Sequence, residues 1–182
     1  MRLIVIICFL LFGQLVQGQV KLSDSNINIS IADKAVILED PNHEFTIEDI
    51  LNGDHSFDEI THSTEILDFN SSRWWLKISV TNTSQFNHFI LELARPITNK
   101  VFLYEIQPDT ILSWQSGDDY PFLEKAYDHR KALFEVDLDI GETKHYIIEL
   151  ESDGEVIILP LKFWERAAFF HNDYVDQMGH GF

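Results

Sequence analysis

The stretch "RWWLKISVTN", Arg73 to Asn82, alternates in character residue by residue, so that Trp74, Leu76, Ile78 and Val80 share one face and Trp75, Lys77, Ser79 and Thr81 the other. Only an extended chain sends every second side chain to the same side, so this segment must be a strand with one face on a core. The same period recurs. In "LFEVDLDIG" it points Phe134, Val136, Leu138 and Ile140 inward, and in "KHYIIELES" it does so for Tyr146, Ile148 and Leu150. "HFILELA", "KVFLYEI", "TILSWQS" and "EVIILPLKFW" read as further strands, and "DKAVILED" as the first. Turn residues separate them at Asn82-Thr83-Ser84, Arg95-Pro96, Gln107-Pro108-Asp109, Gly141-Glu142 and Ser152-Asp153-Gly154. About eight short strands with turns between them predict an antiparallel all-β sandwich.

Two segments depart from this period. "FTIEDILNGD" predicts one short helical turn, capped by Thr46 and stopped by Gly53. "FWERAAFFHNDYVDQM" predicts a helix from about Glu165 that leads away from the domain. At the amino terminus, Arg2 precedes an apolar run from Leu3 to Phe12 and a small-residue cleavage point after Gly18, the layout of a secretory signal peptide. At about ten residues the run falls short of the roughly 20 that a helix needs to cross a bilayer. The expected organisation is a leader at 1–18, a β-sandwich at 19–164 and a helical or juxtamembrane segment at 165–182, in an exported protein.

Cys8 is the only cysteine and lies in that leader, so the exported chain offers no disulfide, zinc thiolate or cysteine nucleophile. The formal net charge is −17. Such a surface repels phosphate backbones, which excludes nucleic acid as a partner. No nucleophile elbow, zinc-protease motif, phosphate-binding glycine loop or dinucleotide fingerprint appears, and the eight histidines lack zinc-ligand spacing. The sequence therefore points to a binding module rather than an enzyme. Asp137, Asp139 and Glu142 around Gly141 have acids at alternate positions but lack the closing bidentate Glu of a calcium loop. A solvated strand face is the expectation there. No metal or cofactor is assigned, and a structural calcium ion held by distant loops is left open.

The aromatic residues suggest one binding chemistry. Trp75 lies opposite the apolar stripe of its strand, and Trp114 and Tyr120 flank the turn at Gly117, Asp118 and Asp119. Exposed flat rings stack on the C–H faces of sugars, and neighbouring carboxylates accept hydroxyl hydrogen bonds. The candidate ligand-binding set is Trp75, Trp114, Tyr120, Asp118 and Asp119. Adjacent acids on an extended chain diverge, so Asp118 and Asp119 are expected to be turn residues rather than a catalytic pair.

The order of these pieces, "RWWLKISVTNTSQFNHFILEL", "KVFLYEI", "GDDYPF", "KALFEVDLDIGETKHYIIELES" and "VIILPLKFW", resembles the type-2 extracellular sensor domain of bacterial seven-transmembrane receptors with diverse intracellular signalling modules. The residues that carry the resemblance are Trp74, Trp75, Leu76 and Asn82, then Gly117, Asp118, Pro121 and Phe122, then Ser152, Pro160 and Leu161. Where that family often has an Arg after Pro-Phe, this chain has Lys125 first and Arg130 later, and Lys lacks the bidentate fork of Arg. The resemblance covers roughly Ala32 to Trp164. It implies a jelly-roll-like sandwich outside the inner membrane, membrane-proximal when part of a longer receptor, binding a carbohydrate or other small ligand without chemistry. A protein-interaction or homodimerisation module without a small ligand is the alternative. On either reading, the stretch from Gly117 to Val136 is a scaffold connection.

Overall fold

The computed structural model describes residues 18–26, 28–60, 66–67, 71–94, 99–127, 129, 131–151 and 157–179. The leader before Gly18, the turns at Arg95-Pro96 and Ser152-Asp153-Gly154, and Arg130 lie outside the described residues. The described chain is a two-sheet antiparallel β-sandwich with two helices. Its strands are β1 (Gln19–Leu22), β2 (Asn28–Ser30), β3 (Val36–Asp40), β4 (Asp58–Glu59), β5 (Ile66–Leu67), β6 (Arg73–Asn82), β7 (His88–Leu93), β8 (Lys100–Ile106), β9 (Ile111–Ser116), β10 (Ala132–Asp137), β11 (Thr143–Glu151), β12 (Ile157–Ile158) and β13 (Leu161–Glu165). The helices are α1 (Ile47–Asn52) and α2 (Arg166–Gly179). Sheet A runs β4-β3-β6-β11-β8-β9 with β1 also paired to β6, sheet B runs β10-β7-β13-β2, and β5 and β12 form a two-stranded ribbon.

The longest alternating segment of the sequence is the spine of sheet A. β6 pairs with β11 along its whole length, from Arg73↔Glu151 to Thr81↔Thr143. Its other edge is divided: β3 runs antiparallel along Arg73 to Lys77, and β1 runs parallel along Ser79 to Asn82. Gly18 leads into β1 at φ +109, where its carbonyl accepts the Ser79 N–H at 3.0 Å. A Cβ there would sit 2.3 Å from the Lys34 carbonyl oxygen, so only glycine fits this entry. Trp74, Leu76, Ile78 and Val80 join Tyr146, Ile148 and Leu150 and the inner faces of β7, β10 and β13 in one buried core, as their alternation requires.

Three features depart from the sequence-based expectation. The described strands exceed eight because the added ones are two to four residues long, too short to display a period. Ile140 does not face inward: β10 ends at Asp137, the chain turns at Gly141 (φ +83), and Ile140 is 64% exposed. The third is burial on the outer faces of both sheets.

α1 covers the outer face of sheet A. Thr46 caps it: its hydroxyl accepts the Asp49 N–H at 3.2 Å, while the Asp49 carboxylate accepts the Thr46 N–H at 2.9 Å. The helix stops at Gly53, whose N–H donates to the Asp49 carbonyl at 2.7 Å. Ile50, Trp75 and Ile147 form a second buried core beneath it, with Phe45, Ile47, Leu51 and Phe57 around them. Lys77 reaches from the sheet to the helix, donating to the Ile50 carbonyl at 2.9 Å, with its ammonium 4.1 Å from the Phe57 ring centroid. Burial lowers the Lys77 pKa.

α2 covers the outer face of sheet B. β13 passes into it without a loop, and the Glu165 carboxylate accepts the N–H groups of Ala167 (2.8 Å) and Ala168 (2.7 Å). Phe169 then inserts among Ile90, Leu133 and Trp164. Glu92 is 1% exposed in this layer, and its carboxylate is satisfied by Lys131 Nζ and Trp164 Nε1, each at 2.6 Å. The start of α2 is therefore docked on the sandwich rather than leading directly away from it.

Candidate ligand-binding face

The outward positions of β8 carry Phe102, Tyr104 and Ile106, while Val101, Leu103 and Glu105 are buried on its inner side. Aromatic side chains at two successive outward positions start a row across sheet A. Trp75 and Tyr104 have ring centroids 6.3 Å apart and interplanar angle 26°, Tyr104 and Phe102 are 6.1 Å apart at 18°, and Tyr120 meets Phe102 edge-on at 6.0 Å and 83°. Trp75 and Tyr120, far apart in sequence, are thus the two ends of one row.

The ends differ in access. Trp75 does lie opposite the core stripe of its strand, but α1 covers it and it is 1% exposed. An exposed stacking ring at Trp75 is therefore corrected: in this structure it is the centre of the second core. Tyr120 is half-buried, and burial raises its phenol pKa above the ordinary value, partly opposed by Lys100.

The turn that carries Tyr120 is held against the start of β8. Gly117 stands at φ +119, and a Cβ there would lie 2.3 Å from the Asn99 carbonyl oxygen. That carbonyl accepts the Asp119 N–H at 3.1 Å, and Asp119 Oδ1 accepts Asn99 Nδ2 at 3.2 Å. Asp118 and Asp119 are both exposed turn residues. Beyond them a 3-10 turn at Phe122–Glu124 leads along β9, where the Ala126 N–H donates to the Gln115 carbonyl at 2.8 Å.

That return of the chain forms a depression of about 300 Å³ at the β9 edge, lined by Phe102, Ser113, Trp114, Gln115, Glu124, Lys125 and Ala126. Trp114 borders it from the core side: it pairs with Leu103, and its side chain packs against the main core. Of the residues selected from sequence, Trp114 lines the depression, Tyr120 adjoins it through Phe102, and Asp119 and Asp118 belong to the turn beside Tyr120. Phe102 and the polar groups of Ser113 and Gln115 were missed. The alternation of "KVFLYEI" already placed Phe102 outward, and that was the available signal.

An ionic network underlies the row. The Arg73 guanidinium lies 3.0 Å from Glu149 Oε1 and 3.3 Å from Glu151 Oε2, and donates to the Phe45 carbonyl at 3.2 Å. Tyr104 donates to Glu149 Oε2 at 2.7 Å, and Lys100 donates to Glu151 Oε1 at 2.6 Å. Burial raises the pKa of Glu149 despite the Tyr104 hydrogen bond and Arg73. Burial also opposes charge on Glu151, but its hydrogen bonds and charge interactions with Lys100 and Arg73 prevail and hold its pKa below the usual value. Lys100 is raised, first by the Glu151 hydrogen bond, with Asp119 adding to it. The network fixes the Tyr104 ring and the start of β8, and so the position of Phe102.

Among the described residues no three His, Cys, Asp or Glu side chains are grouped to hold a metal ion. Asp137 instead pairs with His88 at 2.7 Å, and Glu142 accepts the Asp139 N–H at 2.8 Å.

Fold and face together define an all-β domain with a shallow aromatic surface. The family described as 7TMR-DISM extracellular 2 matches residues 32–165, and the chain belongs to that family. It is an extracellular sensor domain of seven-transmembrane receptors and works on the outer side of the membrane. No curated protein matches the chain. Among the described residues no helix is long and apolar enough to cross a membrane.

Proposed function

We propose that this sensor domain binds a carbohydrate, without chemistry, on the depression at the β8–β9 edge. The observation that carries the reading is the convergence of Phe102 with Ser113, Gln115 and Lys125 on one cavity that Trp114 borders from the core side, with Tyr120 against Phe102. Rings offer faces to sugar C–H groups, and the hydroxyl, amide and ammonium supply both donors and acceptors for sugar hydroxyls. On this reading the exposed Asp118 and Asp119, in the turn that carries Tyr120, serve as further acceptors. Trp75 has no part in this surface. The same reading includes removal of the leader at 1–18, which takes away the Gly18 carbonyl that accepts the Ser79 N–H and leaves β1 to start at the new amino terminus, Gln19; the intact mass of the exported protein checks this.

Thermal unfolding across a panel of mono- and oligosaccharides tests it. A ligand at about a hundred times its Kd adds roughly 2.7 kcal/mol to stability. For a domain of this size that raises Tm by roughly 5 to 10 °C. The shift is expected with one sugar class and is expected to disappear in Tyr120→Ala and Phe102→Ala. No shift with any sugar, or an undiminished shift in both variants, would remove the site.

A further inference from the structure

α2 carries an apolar stripe that the sandwich does not cover. Its first turns dock through Phe169 and Phe170, and Asp173 meets His129 at 3.3 Å. Beyond that point Tyr174 is 63%, Val175 51% and Met178 59% exposed. With exposed His171 they occupy positions i, i+3, i+4 and i+7, one side of the helix, while Phe169 and Asp173 face the other way. Off the stripe, exposed Asn172, Asp176 and Gln177 are polar and brace the helix lengthwise, Asn172 to Asp176 at 3.2 Å and Gln177 to Asp173 at 2.8 Å.

We propose that this stripe is the contact surface for α2 of a second copy of the chain, the two helices lying parallel with Tyr174, Val175 and Met178 facing their counterparts. Two exposed helical turns are marginal in water by themselves, so an apolar side on them calls for a partner. Charge selects which one. No Lys or Arg occurs from Ala167 to Phe182, and Asp173 and Asp176 make these turns acidic, which opposes seating on anionic headgroups. A second helix of the same sequence needs no basic residue: the 3-4 spacing of the stripe is that of a two-stranded seam, and both acids lie off it. Members of a membrane receptor family present their sensor domains on one side of the membrane, which sets the pair parallel. The family match ends at residue 165 and α2 begins at Arg166, directly continuous with β13. The pairing helix is therefore joined rigidly to sheet B, so a shift of sheet B moves the seam.

Site-directed disulfide trapping tests the proposal in the full chain, exported with its own leader in a Cys8→Ser background. Single cysteines at Tyr174, Val175 and Met178 are expected to cross-link at least about tenfold faster than cysteines at Asn172 or Gln177, because a seam raises the effective thiol concentration. Adding Val175→Asp to the Met178→Cys protein is expected to abolish its cross-link while the sandwich still unfolds in one cooperative transition, since Val175 is 51% exposed in the single chain. Equal rates at all five positions, or no cross-link at the stripe, would overturn the pairing. So would stripe-dependent binding to phosphatidylglycerol vesicles without cross-linking, which would make the membrane the partner.

Discussion

At the scale of single residues, Glu149 and Glu151 show how two neighbours on one strand acquire opposite properties. They stand two positions apart on the outer face of β11, so both lie beside Arg73, but Glu149 is the deeper and Glu151 also holds Lys100. Glu151 has a folded pKa below its unfolded value. Its stabilisation is complete above the ordinary pKa of 4.5 and is lost as pH falls through the lower folded value. Glu149 has a folded pKa above its unfolded value. Its contribution is complete below 4.5 and is lost as pH rises through the raised folded value. Glu151→Gln should therefore destabilise at pH 7 by about 1.5–3 kcal/mol, the range for hydrogen bonds to charged groups. That loss should shrink below pH 4.5, and Glu149→Gln should be the milder change at pH 7. Urea unfolding of both variants at pH 7 and pH 4 checks this, and a larger effect of Glu149→Gln at pH 7 would refute it. Trp75 gives a second prediction: as the centre of a closed core, Trp75→Ala should lower stability by about 3–5 kcal/mol. A loss below 1 kcal/mol in the same assay would mean that α1 does not seal the ring.

At the scale of elements, local chemistry and packing act together in α1. Thr46, Asp49 and Gly53 mark its ends, but six residues do not make a stable helix in water, and it persists because Ile47, Ile50 and Leu51 lie on sheet A. Removal of the cap by Thr46→Ala should cost about 1 kcal/mol. Hydrogen exchange should show the effect first in the amides of 47–53, and uniform loss of protection across sheet A would contradict a local role. Which segments are helix or strand was legible wherever a period ran for five or more residues, as in β6, β8 and β11. β1 was not legible, because four residues of "QVKL" carry no usable period and their place beside β6 depends on a partner about 60 residues away.

At the scale of the whole molecule, the net charge of −17 opposes compactness and association alike. Raising ionic strength from about 0.01 to 0.15 M shortens the screening length from roughly 30 to 8 Å. Tm should rise over that range, and so should cross-linking along α2. A Tm that falls with salt would show that ion pairs such as Arg73 with Glu149 and Glu151 outweigh the general repulsion. The two outer layers follow from the same global geometry. A sandwich leaves two faces outward, and here α1 covers part of one and α2 part of the other, leaving the aromatic depression at the β8–β9 edge and the stripe on α2 exposed.

The sequence by itself determined the strands with a sustained period, the inward faces of β6 and β11, the ends of α1 and the turn at Gly117. Each of these depends on side-chain direction or backbone freedom within a few residues. Only the tertiary structure decided that Trp75 is sealed and Tyr120 presented, and that Phe102 joins Tyr120 to the depression. Outward on a strand is a local property, whereas exposed is a property of whatever the rest of the chain lays over that strand.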